Sequence, residues 1–431
     1  MIHINDIREN PEIYQQAIRR KRLTVDVNAL LELDDRRRAL QTRVDELRQK
    51  RNNLSEATKT IDKQRRDEHL AHCKAIAEQL ADAEHQLRPV KEQYADMMLR
   101  VPGIPADDVP DGETDAENKE IRKWGQPTSF GFTPKDHLEL ARLHGIAAFE
   151  AAREIAGARA FALVGDGALL ELAVLRFALD KLLAKNFIPV LPPLMVREQA
   201  MIGTGYFPIG EEQAYKLERD ELYLAGTSEV GVVALHANQV LQHDELPLRY
   251  AGVSACFRRE AGAAGKDTKG LYRVHQFQKV EQVVFCSDDA AETAREHAQL
   301  LANAEEILQA LELPYRVVVV CAGDMGLGQV RKHDLEAWMP SRNAYGETHS
   351  CSTLNAFQAR RLNIKFVGEN GEKRHVHTLN NTAIASPRIL IPLLDVHQQE
   401  DGRVRIPAAL RPYLGGREYL EPRRKSPAKF V

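Results

Sequence analysis

Two leucine-rich heptad stretches, one answering the other, constrain this chain more than any other feature. Leu33, Leu40, Leu47 and Leu54 fall seven residues apart, with Leu30 and Val44 on the neighbouring seam and Arg37 and Arg51 interrupting it. After a polar stretch over 55–67 the pattern resumes. Cys73, Leu80, Leu87 and Tyr94 are seven apart, as are Ile76, Ala83, Val90 and Met97. A seven-residue apolar repeat puts one stripe on each helix, and two such helices joined by a polar turn pack as an antiparallel hairpin. At about 1.5 Å per residue, arms of about 30 residues project roughly 45 Å. Pro89 falls inside the second arm, where its ring and missing N–H should kink the helix or shift its packing.

Charge is concentrated on the same segment. The whole chain carries a net charge of −3, yet from Arg19 to Arg66 there are 15 Lys/Arg against 8 Asp/Glu, a net of +7. Arg36, Arg37, Arg38, Arg43, Arg48, Lys50 and Arg51 supply much of it. A local basic field on a near-neutral protein suits a polyanion. A dimerisation coil with a solvated outer face fits the same pattern. The five cysteines (73, 256, 286, 321 and 351) include no C-x-x-C pair, which argues for a reducing compartment. No apolar run approaches the roughly 20 residues of a membrane helix. The early Asp6, Glu9 and Glu12 are unlike a targeting peptide. A cytoplasmic protein with no membrane segment is expected.

At 431 residues two domains are expected. Asn10-Pro11-Glu12 marks a helix start within a short helical cap over 1–25. Domain 1–100 then carries the hairpin. The stretch 101–128 is rich in proline, glycine and acidic residues and reads as a linker. From 129 to 431 the pattern is mixed. Helices are expected over 136–155, 169–185 and 288–312, and strands over 221–225, 250–257, 279–286 and 315–321. The segment 187–196 is extended, with Pro193 placed where only an edge or an interface tolerates it. Hairpins and long crossings outnumber regular βαβ units, so the fold class is α+β: an antiparallel sheet flanked by helices. The run Gly323-Asp-Met-Gly-Leu-Gly follows a strand, but its spacing is G-x-x-G-x-G and no convincing helix follows. A tight turn is expected there, not a dinucleotide fold.

The densest chemistry lies over 256–281. Arg258, Arg259 and Glu260 lead into a glycine-broken loop with Lys266 and Lys269, and Arg273, His275, Phe277 and Glu281 follow. Arginines and glutamates alternating with aromatics on two strands suit an aromatic polyanion lying on a sheet. Three further segments set polar groups in apolar surroundings: Thr227-Ser228-Glu229, Glu347-Thr348-His349-Ser350, and Asn380 to Arg388 entering an apolar helix. An arginine at a helix entrance suits phosphate, since its charge adds to that of the free backbone N–H groups. Each segment alone is as readily a cap or a surface cluster.

Together these segments resemble the three motifs of class II aminoacyl-tRNA synthetases, and the whole chain, hairpin included, is similar to the seryl-tRNA synthetase family. The stretch 186–196 matches motif 1, with Asn186 where the family commonly has glycine. The stretch 257–281 matches motif 2, and 383–394 matches motif 3. The resemblance implies ATP-dependent attachment of L-serine to tRNA(Ser) through seryl-adenylate, with selenocysteine tRNA a further candidate substrate. It implies that Arg258, Arg388 and Glu347 are catalytic. The implied ATP site is Arg258, Arg259, Glu260, Val274, Phe277, Glu347, Thr348, His349, Ser350 and Arg388, with Glu347 and Ser350 holding Mg²⁺. For serine it implies Thr227, Ser228, Glu229, Arg258, Glu281 and Thr382, the last a threonine where some members have serine. For tRNA it implies Arg36, Arg37, Arg38, Arg43, Lys50 and Arg51 on the arm and Lys266 and Lys269 in the motif 2 loop. A homodimer through the motif 1 region is also implied. A carrier-protein-loading paralogue lacks such an arm. A non-catalytic relative commonly loses the motif arginines, and other class II specificities lack this hairpin.

Overall fold

The computed structural model describes residues 2–59, 62–262 and 270–423. It divides into two compact units, Met1–Pro102 and Gly103–Val431. In the first, helices Ile4–Glu9 and Pro11–Arg20 precede two long helices, α1 (Val27–Ala57) and α2 (Arg66–Leu99). Proline opens the helix Pro11–Arg20, where its missing N–H costs nothing. Asp26 caps α1, its carboxylate accepting from the Asn28 and Ala29 amides at 2.8 and 3.2 Å. The heptad stripes meet as expected: Val44 and Leu47 of α1 pack with Ile76, Leu80, Ala83 and Leu87 of α2. Contacts run antiparallel, Arg37 stacking on Tyr94, Arg48 pairing with Glu84 at 2.7 Å, and the Leu54 carbonyl meeting His69 at 3.0 Å. α2 continues through Pro89 as one helix.

Arg37, which interrupts the seam, donates to the buried carboxylate of Asp34 at 2.7 Å, which Arg8 also meets at 2.9 Å. It is committed to the base of the hairpin. Arg36, Arg38, Arg43, Lys50 and Arg51 are exposed on the arms.

The second unit is built on an eight-stranded sheet. In chain order its strands are β1 (Lys119–Trp124), β2 (Ile188–Val190), β3 (Leu248–Phe257), β4 (Gln276–Cys286), β5 (Tyr315–Val319), β6 (Arg331–Met339), β7 (Ala344–Asn355) and β8 (His377–Ser386). Their order across the sheet is β1-β5-β6-β7-β8-β4-β3-β2. Neighbours are antiparallel except β2, which runs parallel to β3. β2 therefore lies at an edge, where Pro189 forfeits no ladder bond the sheet needs. Asn186, just before it, has φ 62°, a left-handed conformation that glycine adopts freely and asparagine tolerates.

One face of the sheet is sealed by helices α3 (Asp166–Leu183), α5 (Ala290–Ala310) and α6 (Leu390–His397), whose apolar sides join Val280, Val284, Leu335, Leu379 and Ile384 in the main core. The short helix α4 (Ser228–Ala234) packs against β3 and β4 through Val232 and Val233.

Two expectations change. The proline-rich stretch 101–128 is not only a linker: it supplies β1, which pairs with β5 and closes that edge. The helix expected over 136–155 is two helices, His137–His144 and Phe149–Ala156. Gly145 ends the first in a left-handed conformation (φ 61°), and Ala147 then bridges to Leu163. The run Gly323-Asp-Met-Gly-Leu-Gly forms a short 3₁₀ turn and loop entering β6, with no helix after it. Among the described residues, no helix is long and apolar enough to cross a membrane.

Candidate active site

The open face of the sheet floors a cavity of about 420 Å³. Strand register sets what faces it. Directly opposed residues on neighbouring strands share a face. Asp334 lies opposite Ser350, Thr382 opposite Glu281, and Glu281 opposite Gly252. One step along, Lys332 lies opposite Ser352 and Ser352 opposite Asn380. Two polar rows thus cross the centre of an otherwise apolar sheet. Gly252 ends the first row because a Cβ there would stand 2.5 Å from the Ser228 hydroxyl oxygen, so α4 could not lie so close.

Of the residues singled out from sequence, Glu229, Arg258, Glu260, Val274, Phe277, Glu281, Glu347, Thr348, Ser350, Thr382 and Arg388 line this cavity. Arg258 is half-buried at the end of β3; its Nε donates to the Gly226 carbonyl at 3.3 Å and its guanidinium lies over the Phe277 ring, 5.1 Å from the centroid. Arg388, at the entrance to α6, donates from Nε to the Tyr272 carbonyl and from Nη1 to the Glu347 carbonyl, each at 3.1 Å. Glu260 pairs with Arg273 at 3.1 Å.

Four expected residues do not reach the cavity wall. Thr227 caps α4, its hydroxyl accepting from the Glu229 amide at 3.3 Å. Ser228 donates to the Gly252 carbonyl at 3.2 Å. Arg259 points to solvent. His349 is buried against the Ala383 carbonyl at 2.9 Å, where desolvation lowers its pKa to about 4 and keeps it neutral. Lys266 and Lys269 lie outside the described residues.

Several wall residues were given no role from sequence: Tyr206, Lys279 and Lys332, and Asn380, which entered only as the start of the segment running to Arg388. Lys279 pairs with Glu281, and Lys332 pairs with the buried Asp334 at 3.1 Å. The signal for them was present. Lys279 and Asn380 precede Glu281 and Thr382 by two, the same-face interval of a strand. The remaining wall includes Gly326 to Gln329, so the glycine run set aside as a turn borders the site.

Electrostatics divide the carboxylates. Glu229 is buried beneath three donors: Gln358 Nε2 at 2.7 Å, Asn380 Nδ2 at 2.9 Å and the Tyr206 hydroxyl at 3.1 Å. Desolvation, with Glu281 nearby, pushes its pKa up to about 7 despite them. Burial works the same way on Glu347, but Arg388, Lys332 and Arg258 outweigh it and hold that carboxyl below the usual range. Glu347 therefore remains an anion beside Ser350, while Glu229 is poised to be neutral. Among the described residues no group of three or more His, Cys, Asp and Glu could hold a metal. A metal with Glu347 and Ser350 alone as protein ligands would be held mostly by substrate phosphates and water, as magnesium commonly is.

A largely antiparallel sheet with helices on one face, and on the other a cavity where four separated polar segments meet, defines the catalytic core of a class II aminoacyl-tRNA synthetase. Residues 215–397 match the model of the tRNA synthetase class II core domain (G, H, P, S and T), and residues 1–105 match that of the seryl-tRNA synthetase N-terminal domain. A serine–tRNA ligase of Deinococcus radiodurans is 48% identical over 97% of this chain and 99% of its own. The seryl-tRNA synthetase of Pyrococcus horikoshii, solved in complex with ATP, superposes with a TM-score of 0.88 at 38% identity, covering 98% of this chain and 100% of its own. The cytoplasmic enzyme of Naegleria fowleri, in complex with AMP, gives 0.84 at 30% identity over 98% and 99%. The chain belongs to the seryl-tRNA synthetase family.

Proposed function

We propose that this protein condenses L-serine with ATP to give seryl-adenylate and pyrophosphate, then transfers the seryl group to the 3′-terminal adenosine of tRNA(Ser). The observation that carries this reading is the convergence of Arg258 and Glu281, Glu347, and Arg388, from three separate segments, on one cavity. In the first step a serine carboxylate oxygen forms a bond to the α-phosphorus, and the bond to the β-phosphate oxygen breaks. Charge grows on phosphate oxygens, so positioning and electrostatic stabilisation supply most of the acceleration. Arg258 spans the α-phosphate and the serine carboxylate, which a planar guanidinium can do and a point-charge lysine cannot. Arg388 takes the terminal phosphate. Phe277 stacks on adenine, and Glu260 accepts from its amino group. Glu347 and Ser350 would hold Mg²⁺, which when bound would neutralise phosphate charge.

For serine, Glu281 receives the ammonium group, and Glu229 with Thr382 reads the hydroxyl. A site built around a hydroxyl strongly rejects alanine, because its buried polar groups would be left unpaired. In the second step the adenosine hydroxyl attacks the seryl carbonyl and AMP leaves. The exposed arm residues Arg36, Arg38, Arg43, Lys50 and Arg51 contact tRNA phosphates, which position the nucleic acid. A homodimer through the motif 1 region is supported by Ile188, Leu191 and Met195, three large apolar side chains left exposed within 186–196. The five free cysteines suit the cytoplasm.

The test is amino-acid-dependent ATP–pyrophosphate exchange with each of the twenty amino acids. Serine is expected to be the best substrate by orders of magnitude. Faster exchange with any other amino acid overturns the assignment.

A further inference from the structure

Tyr272 follows the motif 2 loop, and nothing in the chemistry above requires it. It nevertheless stands at the meeting point of four segments. The guanidinium of Arg388 lies over its ring at 4.5 Å from the centroid, and the guanidinium of Arg342 lies over the same ring, also at 4.5 Å. Its backbone carbonyl accepts from Arg388 Nε at 3.1 Å. The ring rests against Gly346, where a Cβ would come within 3.2 Å of Tyr272 Cε2. Arg342 is itself anchored, because its neighbour Ser341 donates to Asp395 of α6. A closed circuit results: Arg388 leads into α6, α6 holds Ser341, the 340–342 turn presents Arg342, and Arg342 and Arg388 share one ring.

An aromatic face is electron-rich and attracts cations, so this ring gathers two like charges that would otherwise separate. Arg388 has four rotatable side-chain bonds and opens onto a cavity. With the ring and carbonyl of Tyr272 on one side and Glu347 on the other, its guanidinium is fixed before any nucleotide arrives. That preorganisation lowers the ordering cost of binding.

We propose that Tyr272 is a positioning residue for Arg388, its ring and carbonyl setting the guanidinium at the terminal-phosphate end of the nucleotide site, with Arg342 the second cation that fixes the ring. The proposal rests on the reading of Arg388 as a phosphate ligand. It predicts a selective effect: contacts to the β- and γ-phosphates weaken, while contacts to adenosine and the α-phosphate persist.

Calorimetric binding of ATP and of AMP separates these, and needs no turnover. Tyr272→Leu keeps the apolar bulk and the carbonyl but removes the π face. It is expected to weaken ATP binding about tenfold, the scale of a cation–π contact shielded from water, while AMP binding stays within about twofold. Tyr272→Phe keeps the ring and should bind both like the wild type. Arg342→Gln should show a smaller loss confined to ATP. Equal loss of ATP and AMP, unchanged ATP affinity in Tyr272→Leu, or a Tyr272→Phe variant as impaired as Tyr272→Leu overturns the proposal. Failure of the catalytic reading would show separately, as absence of serine-dependent exchange in the wild type.

Discussion

Glu229→Gln should leave the protein more stable than the wild type at pH 8 and no more stable at pH 4.5. Glu229 is only 6% exposed, and its carboxyl is pushed from 4.5 up to about 7. Between those two pH values the native state retains a proton that the unfolded chain has lost. Stability contributed by this group therefore falls as pH rises through the window. At about 1.4 kcal/mol per tenfold change in ionisation, the ionised carboxylate costs the native state at most about 3 kcal/mol above pH 7. Lys279, Tyr206 and Arg258 face the same pocket as Glu229 and Glu281, and relaxation around them makes 1–2 kcal/mol a fairer expectation, roughly. Glutamine does not titrate. Its Oε1 can still accept from Gln358 and Asn380, and its amide can donate to the Tyr206 hydroxyl, whose own proton then loses the Glu229 acceptor and has to turn to water in the cavity that Tyr206 lines. Urea unfolding followed by tryptophan fluorescence at pH 4.5, 6 and 8 reads the difference directly. A difference that does not grow with pH, or a variant less stable than the wild type at pH 8, refutes the reasoning. The same variant should lose serine-dependent exchange, since stability and function are opposed at this residue.

Two further outcomes follow from packing and pairing. Gly252→Ala should cost about 1–3 kcal/mol through overpacking, and adding Ser228→Ala should restore part of it by vacating the hydroxyl that the new methyl meets; a double variant no better than the single one would contradict the contact. Asp34→Ala removes the buried carboxylate that Arg8 and Arg37 share, but both arginines reach solvent and Arg8 keeps Asp35 at 2.8 Å, so the first unit should lose about 1–2 kcal/mol. tRNA charging should then fall while serine-dependent pyrophosphate exchange holds, and a parallel loss of both would count against a separate role for that unit.

How far the sequence could be read depended on which periodicity was at work. The hairpin was legible because leucines at a fixed interval of seven imply a stripe whatever lies elsewhere in the chain. The arginines and glutamates of the motifs were legible as a resemblance. The polar rows were not, because Lys332 and Asn380 come together only once the three strands β6, β7 and β8 are in register, and the bulge between Leu335 and Glu336 shifts the pairing further along. His349 was placed in the site by its company in the motif, but its side chain turns instead to the Ala383 carbonyl. The partner of Arg37 was not read, although the signal was there: a charge interrupting the buried stripe calls for a buried partner, and Asp34 stands three residues before it.

The strand β1 changes what the stretch ahead of it can tolerate. A true linker absorbs insertions as slack, but here both ends are tied down. Gly103 and Ala106 donate backbone hydrogen bonds to Leu327 and Val330. Asn118 caps the Cys321 amide at 2.9 Å, and Lys119 then begins the ladder with β5. A residue added between 106 and 118 has to bulge outward, and one removed has to pull β1 out of register, turning each of its side chains to the opposite face. Length variation among relatives should therefore collect at the exposed turn at Asp107 and Asp108, since Pro110 and Gly112 accept backbone hydrogen bonds from Ala322 and Gly323. A catalytic fragment cut at residue 129 would leave the β5 edge, Tyr315–Val319, bare and open to pairing with another chain.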